Sequence, residues 1–179
     1  MEPSEVDSPK DVASGKVMGV KHAAVRKLEH ELGIPIGTLN AKKFQFLTRL
    51  HYWAADTVTH GKSSEWGEHE VDYVLFYVLD DKEVLNLNPN PDEVDDTKFV
   101  TLNELDGMLA NKKLLFSPWF RLVVQKWLRT WWSDLATCMK KGNKYCDYDT
   151  IHEFDPPSEH FGGGGNAQPM FALGDSGYV

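Results

Sequence analysis

Over residues 17–78 the spacing of apolar residues changes from a helical repeat to an extended one, and no other feature limits the fold as much. Val17, Val20, Ala24, Leu28 and Leu32 recur at three- and four-residue steps with charges between them. Gly33 then supplies a C-cap and Pro35 bars continuation, so residues 17–32 form a helix. Residues 44–53 and 69–78 are rich in aromatic and β-branched types and read as two strands, the second apolar enough towards its end to be buried on both faces. Between them residues 56–67 are polar, contain Gly61 and Gly67, and make a loop.

The remaining pattern completes a mixed order. Residues 80–94, rich in Asp, Asn and Pro, connect to a short strand expected at 98–100. Thr101 followed by Glu104 has the form of a capping box for a helix over 102–109. The longest helix is expected to start at Ser117-Pro118, with Ser as cap and Pro in the first turn. Phe120, Val123, Val124, Trp127, Leu128, Trp131 and Leu135 form its core stripe. The order helix, strand, strand, strand, helix, helix argues for an α+β sandwich of the α/β class. Residues 1–15 are read as a loose polar arm, 16–155 as one domain and 156–179, with the run Gly162–Gly165, as a flexible tail.

Charge and composition narrow the function classes. The formal net charge is −8, and the lysine pairs 42–43, 112–113 and 140–141 are scattered, so they read as solvated surface rather than as a nucleic-acid footprint. No apolar run approaches the length of a membrane helix and no hydrophobic leader follows Met1, which makes the cytoplasm the expected location. Cys138 and Cys146 are too few for a zinc site and read as incidental. Six tryptophans suit a core, and they also suit an apolar ligand pocket.

Two segments carry a resemblance. Residues 19–34, GVKHAAVRKLEHELGI, look like a degenerate Nudix helix, and residues 66–73, WGEHEVDY, resemble the signature of the type I isopentenyl diphosphate isomerases. The blocks LTRLHY at 47–52, LNPNPDE at 87–93, SPWF at 117–120 and KWLRTWWSD at 126–134 agree with that family in order and spacing. The resemblance implies a Nudix-like mixed sheet flanked by helices. It also implies addition of a proton to an alkene by a glutamate, with a cysteine on the opposite face, and divalent metal, in part Mg2+, on histidines and glutamates.

Carried over by position, Glu70 is the acid and Glu68 its companion, Tyr52 supports the acid, and Trp119 offers its π face to a carbocation. Glu31, Glu68 and Glu70 stand where the family binds metal, and Arg26, Lys27 and Glu31 where it holds the diphosphate. Trp53 and Trp66 would extend the aromatic wall. Against this, Glu68 and Glu70 read alone are solvated charges at a strand start, Trp119 is as readily core, and Arg26-Lys27 is an ordinary exposed helix pair. His51 and His69 lie near the site without occupying a family ligand position.

The family's cysteine and histidine ligands precede the helix, whereas the eighteen residues before Gly19 contain neither Cys nor His. That half of the site is therefore expected to be missing. Nor is the helix that of an ordinary Nudix hydrolase, since Val25, Lys27 and His30 replace glutamates. The reading favoured at this level is a repurposed terpenoid enzyme that protonates a prenyl-containing small molecule to cyclise or isomerise it. The alternatives are a conventional isopentenyl/dimethylallyl diphosphate isomerase with its other half lost or supplied in trans, and a non-catalytic binding subunit. Uncovered sheet edges would favour a homo-oligomer.

Overall fold

The structure, a computed structural model, describes residues 16–55, 60, 65–80, 84–111, 113–114, 116–153 and 171–172. The arm at 1–15 and nearly all of 156–179 lie outside those residues. Helix α1 (Met18–Leu32) is followed by a 3₁₀ turn (Ala41–Lys43), β1 (Gln45–Ala55) and β2 (Gly67–Phe76). Next come α2 (Leu102–Ala110), α3 (Pro118–Val123), a π-helical turn (Val124–Leu128), α4 (Arg129–Ser133) and α5 (Leu135–Cys138). Strands β3 (Ile151–Glu153) and β4 (Phe171–Ala172) complete the order. The sheet runs β2-β1-β3, with β4 also on β1. Strand β3 is parallel to β1, with Arg49 opposite Ile151 and His51 opposite Glu153, and β4 is parallel to it with Ala54 opposite Phe171. This is the mixed sheet with helices that the order of elements predicts.

The chain divides into two compact units. The first takes residues 1–48, 73–99 and 135–150. Its core joins Ile34, Leu39 and Phe44 to the inner face of α1 and to Leu75, Tyr77 and Leu79. A smaller cluster packs Val17 and Phe46 against Tyr73 and Tyr148, the Phe46 and Tyr148 rings stacking at 5.6 Å. Val17, fully buried, is held at φ +35, a conformation that a β-branched residue seldom takes.

Helix α1 ends as its sequence predicts. Gly33 is left-handed at φ +65; its N–H donates to the Glu29 carbonyl and that of Ile34 to the Leu28 carbonyl. Asn88 and Asn90 donate their N–H groups to the carbonyls of Leu32 and Glu31, so the 87–93 segment seals the helix end.

The second unit takes residues 49–72, 100–134 and 151–179. Leu50 and Tyr52 of β1 are completely buried, as nearly are Leu105, Leu122, Val123, Val124, Leu128 and Trp131. Trp127 and Trp131 stack at 5.7 Å with planes 6° apart, and His152 meets Trp127 edge-on. Arg129 clasps Asp106 at 2.7 Å, tying α4 to α2 and holding the Asp106 carboxyl below its usual range. The Thr101–Glu104 capping box forms in full.

Four local expectations are corrected. Residues 98–100 form no strand: they pair with nothing in the sheet, and Phe99 is 77% exposed. Ser117 makes no side-chain cap bond, so Pro118 alone marks that helix start. The long helix is interrupted by the π-helical turn, which apolar periodicity could not reveal because every residue type in it suits an α-helix. Strand β2, moreover, is half-buried rather than covered on both faces.

A Cβ on residue 33 would collide with the Asn88 carbonyl oxygen on a left-handed backbone. Gly33→Ala should therefore lose more than about 1 kcal/mol of stability in urea unfolding, against about 1 kcal/mol for Thr101→Ala through its cap.

Candidate active site

Tyr52, Trp53, Trp66, Glu68, Glu70 and Trp119 all belong to the second unit. Tyr52 is completely buried in β1. Glu68 and Glu70 lie in β2, the neighbouring strand. The side chains of Glu68 and Trp53 fall outside the described residues, as does their part in the expected constellation. Glu70 is exposed. Trp66 is 71% exposed, with His60 the ring beside it at 6.4 Å. Trp119 is 38% exposed and meets Phe120 edge-on. The aromatic enclosure expected around the acid is therefore not closed by the described residues: the rings are present on the surface of the unit instead of surrounding a hollow.

Across β1 and β2 the Nε2 atoms of His51 and His69 approach to 2.8 Å. Such a contact needs one ring nitrogen to donate and the other to accept. Alternation along β2 sends Glu70 to the face opposite His69, so this pair is not set beside the acid.

Arg26, Lys27 and Glu31 lie on α1 in the first unit. Lys27 and Glu31 form an ion pair with each other, one turn apart, and Arg26 is exposed. Spacing alone predicts such an i,i+4 pair. Among the described residues no three His, Cys, Asp or Glu side chains gather as a cation would require. The described donor set does not build a metal site.

Two features escaped the sequence. Cys146 is the hub of a polar cluster: Gln45 Nε2 and Asn143 Nδ2 donate to its Sγ at 3.0 and 3.1 Å, and the thiol reaches the Phe46 carbonyl at 3.1 Å. Burial, reinforced by the bond to Cys146, pushes the Tyr148 phenol from 10.0 up to about 12. The second feature is a cavity of about 910 Å³ in the first unit, to which Lys16, Lys21, Lys42, Lys43 and Lys141 all contribute. Lysines that look scattered along the chain are gathered by α1, the 3₁₀ turn and the segment after α5. The pairs 42–43 and 140–141 were visible locally, but not their convergence.

Residues 7–120 match the NUDIX domain family. The isopentenyl-diphosphate delta-isomerase of Candida albicans is 43% identical over 134 residues, covering 74% of this chain and 45% of the relative. That of Schizosaccharomyces pombe is 44% identical over 124 residues, covering 69% and 50%, and the isopentenyl-diphosphate Delta-isomerase 1 of Bos taurus 34% over 150 residues, covering 82% and 60%. The chain thus spans about half the length of the relatives it matches. No described helix is long and apolar enough to cross a membrane.

A raised phenol favours the folded state while it keeps its proton. That stability is complete below pH 10 and is lost as pH climbs through about 12. Absorbance titration at 295 nm should show a tyrosine ionising at about pH 12, and Tyr148→Phe should remove that step.

Proposed function

Given that the chain belongs to the NUDIX domain family and is homologous to isopentenyl-diphosphate isomerases, we propose that it is the acid-bearing part of such an isomerase. In this reading the Glu70 carboxyl adds its proton to the terminal carbon of the substrate alkene. Positive charge appears on the adjacent tertiary carbon, and a neighbouring carbon gives a proton to a base on the opposite face, moving the double bond by one position. Trp119 and Trp66 offer π faces to the cation, and Tyr52, locked in the core, fixes the strand beside the acid. The names of the relatives favour this isomerisation over cyclisation of a larger prenyl compound.

The observation that carries the reading is the joint exposure of Glu70, Trp66 and Trp119 in the unit whose Tyr52 and Trp131 are buried. Alkene protonation needs a site closed to water, because solvent both levels the acid and captures the cation. A surface bearing an acid and aromatic rings is suited to be covered, and the base must come with the cover. The covering half is assigned to residues beyond those matched here, from the same polypeptide or in trans. No step is routed through a metal, since the described donors do not assemble one.

Deuterium uptake by isopentenyl diphosphate in D2O reads the proposed step directly. The 179-residue chain should exchange slowly alone and gain rate when the remaining half of a relative is added. Glu70→Gln should cost about 10²–10⁴ of the complemented rate. No gain on complementation, with equal rates for wild type and Glu70→Gln, removes the reading.

A further inference from the structure

The cavity of about 910 Å³ lies wholly within the first unit and shares no residue with the proton-transfer reading. Lys16, just before α1, lines it together with Lys42 of the 3₁₀ turn and Lys141 from beyond α5. Among the described residues these three exposed lysines make no ion pair, whereas Lys43 at the same rim is matched by Asp80 at 2.9 Å. Phe44, Leu135 and Met139 supply apolar wall. The hollow therefore suits an occupant that is acidic and carries some apolar side chains.

The residues that lead into Lys16 fit that description. Residues 1–15 carry Glu2, Glu5, Asp7 and Asp11 against Lys10 alone, with Val6 and Val12 between the carboxylates. Gly15 is bonded to Lys16, so this segment starts at the rim of the cavity. Asp7, nine residues back, can lie up to about 32 Å from Lys16 when extended, so reach does not limit which lysine it meets. Val17 sets the angle of entry into α1: it is fully buried at φ +35, a conformation its branched side chain disfavours and its surroundings must impose. The NUDIX match begins at residue 7, which puts Asp7 and Asp11 inside the matched domain. Exposed ion pairs are weak one at a time and are screened by salt. A free peptide would gain little from three of them, but a tethered segment meets the same lysines at an effective concentration on the order of millimolar.

We propose that this cavity is the docking site of the chain's own acidic segment, residues 1–15, with Asp7 and Asp11 set against Lys42 and Lys141 and Val12 against the apolar wall. Docked in cis, the segment straps the start of α1 to the 3₁₀ turn and to the residues after α5.

Backbone 15N relaxation on the intact chain at low salt reads the docked segment directly. The amides of Val6 to Val12 should have order parameters near those of α1, about 0.8, and should fall below about 0.6 in Lys42→Glu/Lys141→Glu. Lys98→Glu/Lys113→Glu makes the same change in net charge outside the cavity and should leave the segment ordered; urea unfolding verifies that each variant is folded. Asp7→Lys/Asp11→Lys alone should release the segment, and the same change added to Lys42→Glu/Lys141→Glu should restore its order, because the two sets of charges are then exchanged. Raising salt to about 1 M, where charges are screened within about 3 Å, should loosen the wild-type segment. Order parameters below about 0.6 in the wild type at low salt would overturn the proposal, as would equal loosening by the two lysine pairs or failure of the exchanged charges to restore order. Order that falls on tenfold dilution would assign the docked segment to a second copy and overturn docking in cis.

Discussion

Strand β1 cannot be moved without dismantling everything else. Phe46, Leu47, Leu50 and Tyr52 have no exposed surface and Thr48 almost none, so consecutive residues on both faces of one strand are covered. Each buried ring or branched side chain contributes about 1.5–3 kcal/mol, and a slip of one residue would exchange the two faces. The strands around β1 therefore inherit a fixed register. Residue 51 must meet β2 on one side and β3 on the other, which is how His51 comes to face both His69 and Glu153. The position of the acid-bearing segment of β2 is a consequence of burial in β1, not of any bond made by the acid.

The sequence was most readable where one physical effect acts alone. Gly33 predicts a left-handed helix end because few other residues tolerate one, and Thr101 with Glu104 predicts a cap because two side chains three apart satisfy two orphan donors. It was least readable where the decisive partners are distant in the chain. Lys21 and Lys141 lie 120 residues apart in the chain and reach one cavity only after folding. Residues 98–100 have strand chemistry but find no ladder. Cys146, read as incidental, earns its place through Gln45, a hundred residues away.

For the acid site the sequence supplied the residues but not their surroundings. Resemblance located Glu70, Tyr52, Trp66 and Trp119 by order along the chain, and the structure places the tyrosine inside and the other three at the surface. A motif specifies which groups meet a substrate; it does not specify what keeps water out, because that depends on mass contributed from elsewhere. The pairing of Lys27 with Glu31 makes the same point: a charge pattern on a helix stabilises the helix first.

The π-helical turn at Val124–Leu128 has a consequence for how this chain tolerates change. One extra residue in a helical turn rotates everything beyond it by about 100°. Trp131, 2% exposed, lies just beyond that offset with Trp127 stacked on it, so the offset sets which way the stacked pair faces relative to α3. A single-residue deletion here would leave a perfectly regular helix and yet turn an indole outward. At this point in the chain, length acts as an angle, and the more ideal backbone would be the less stable protein.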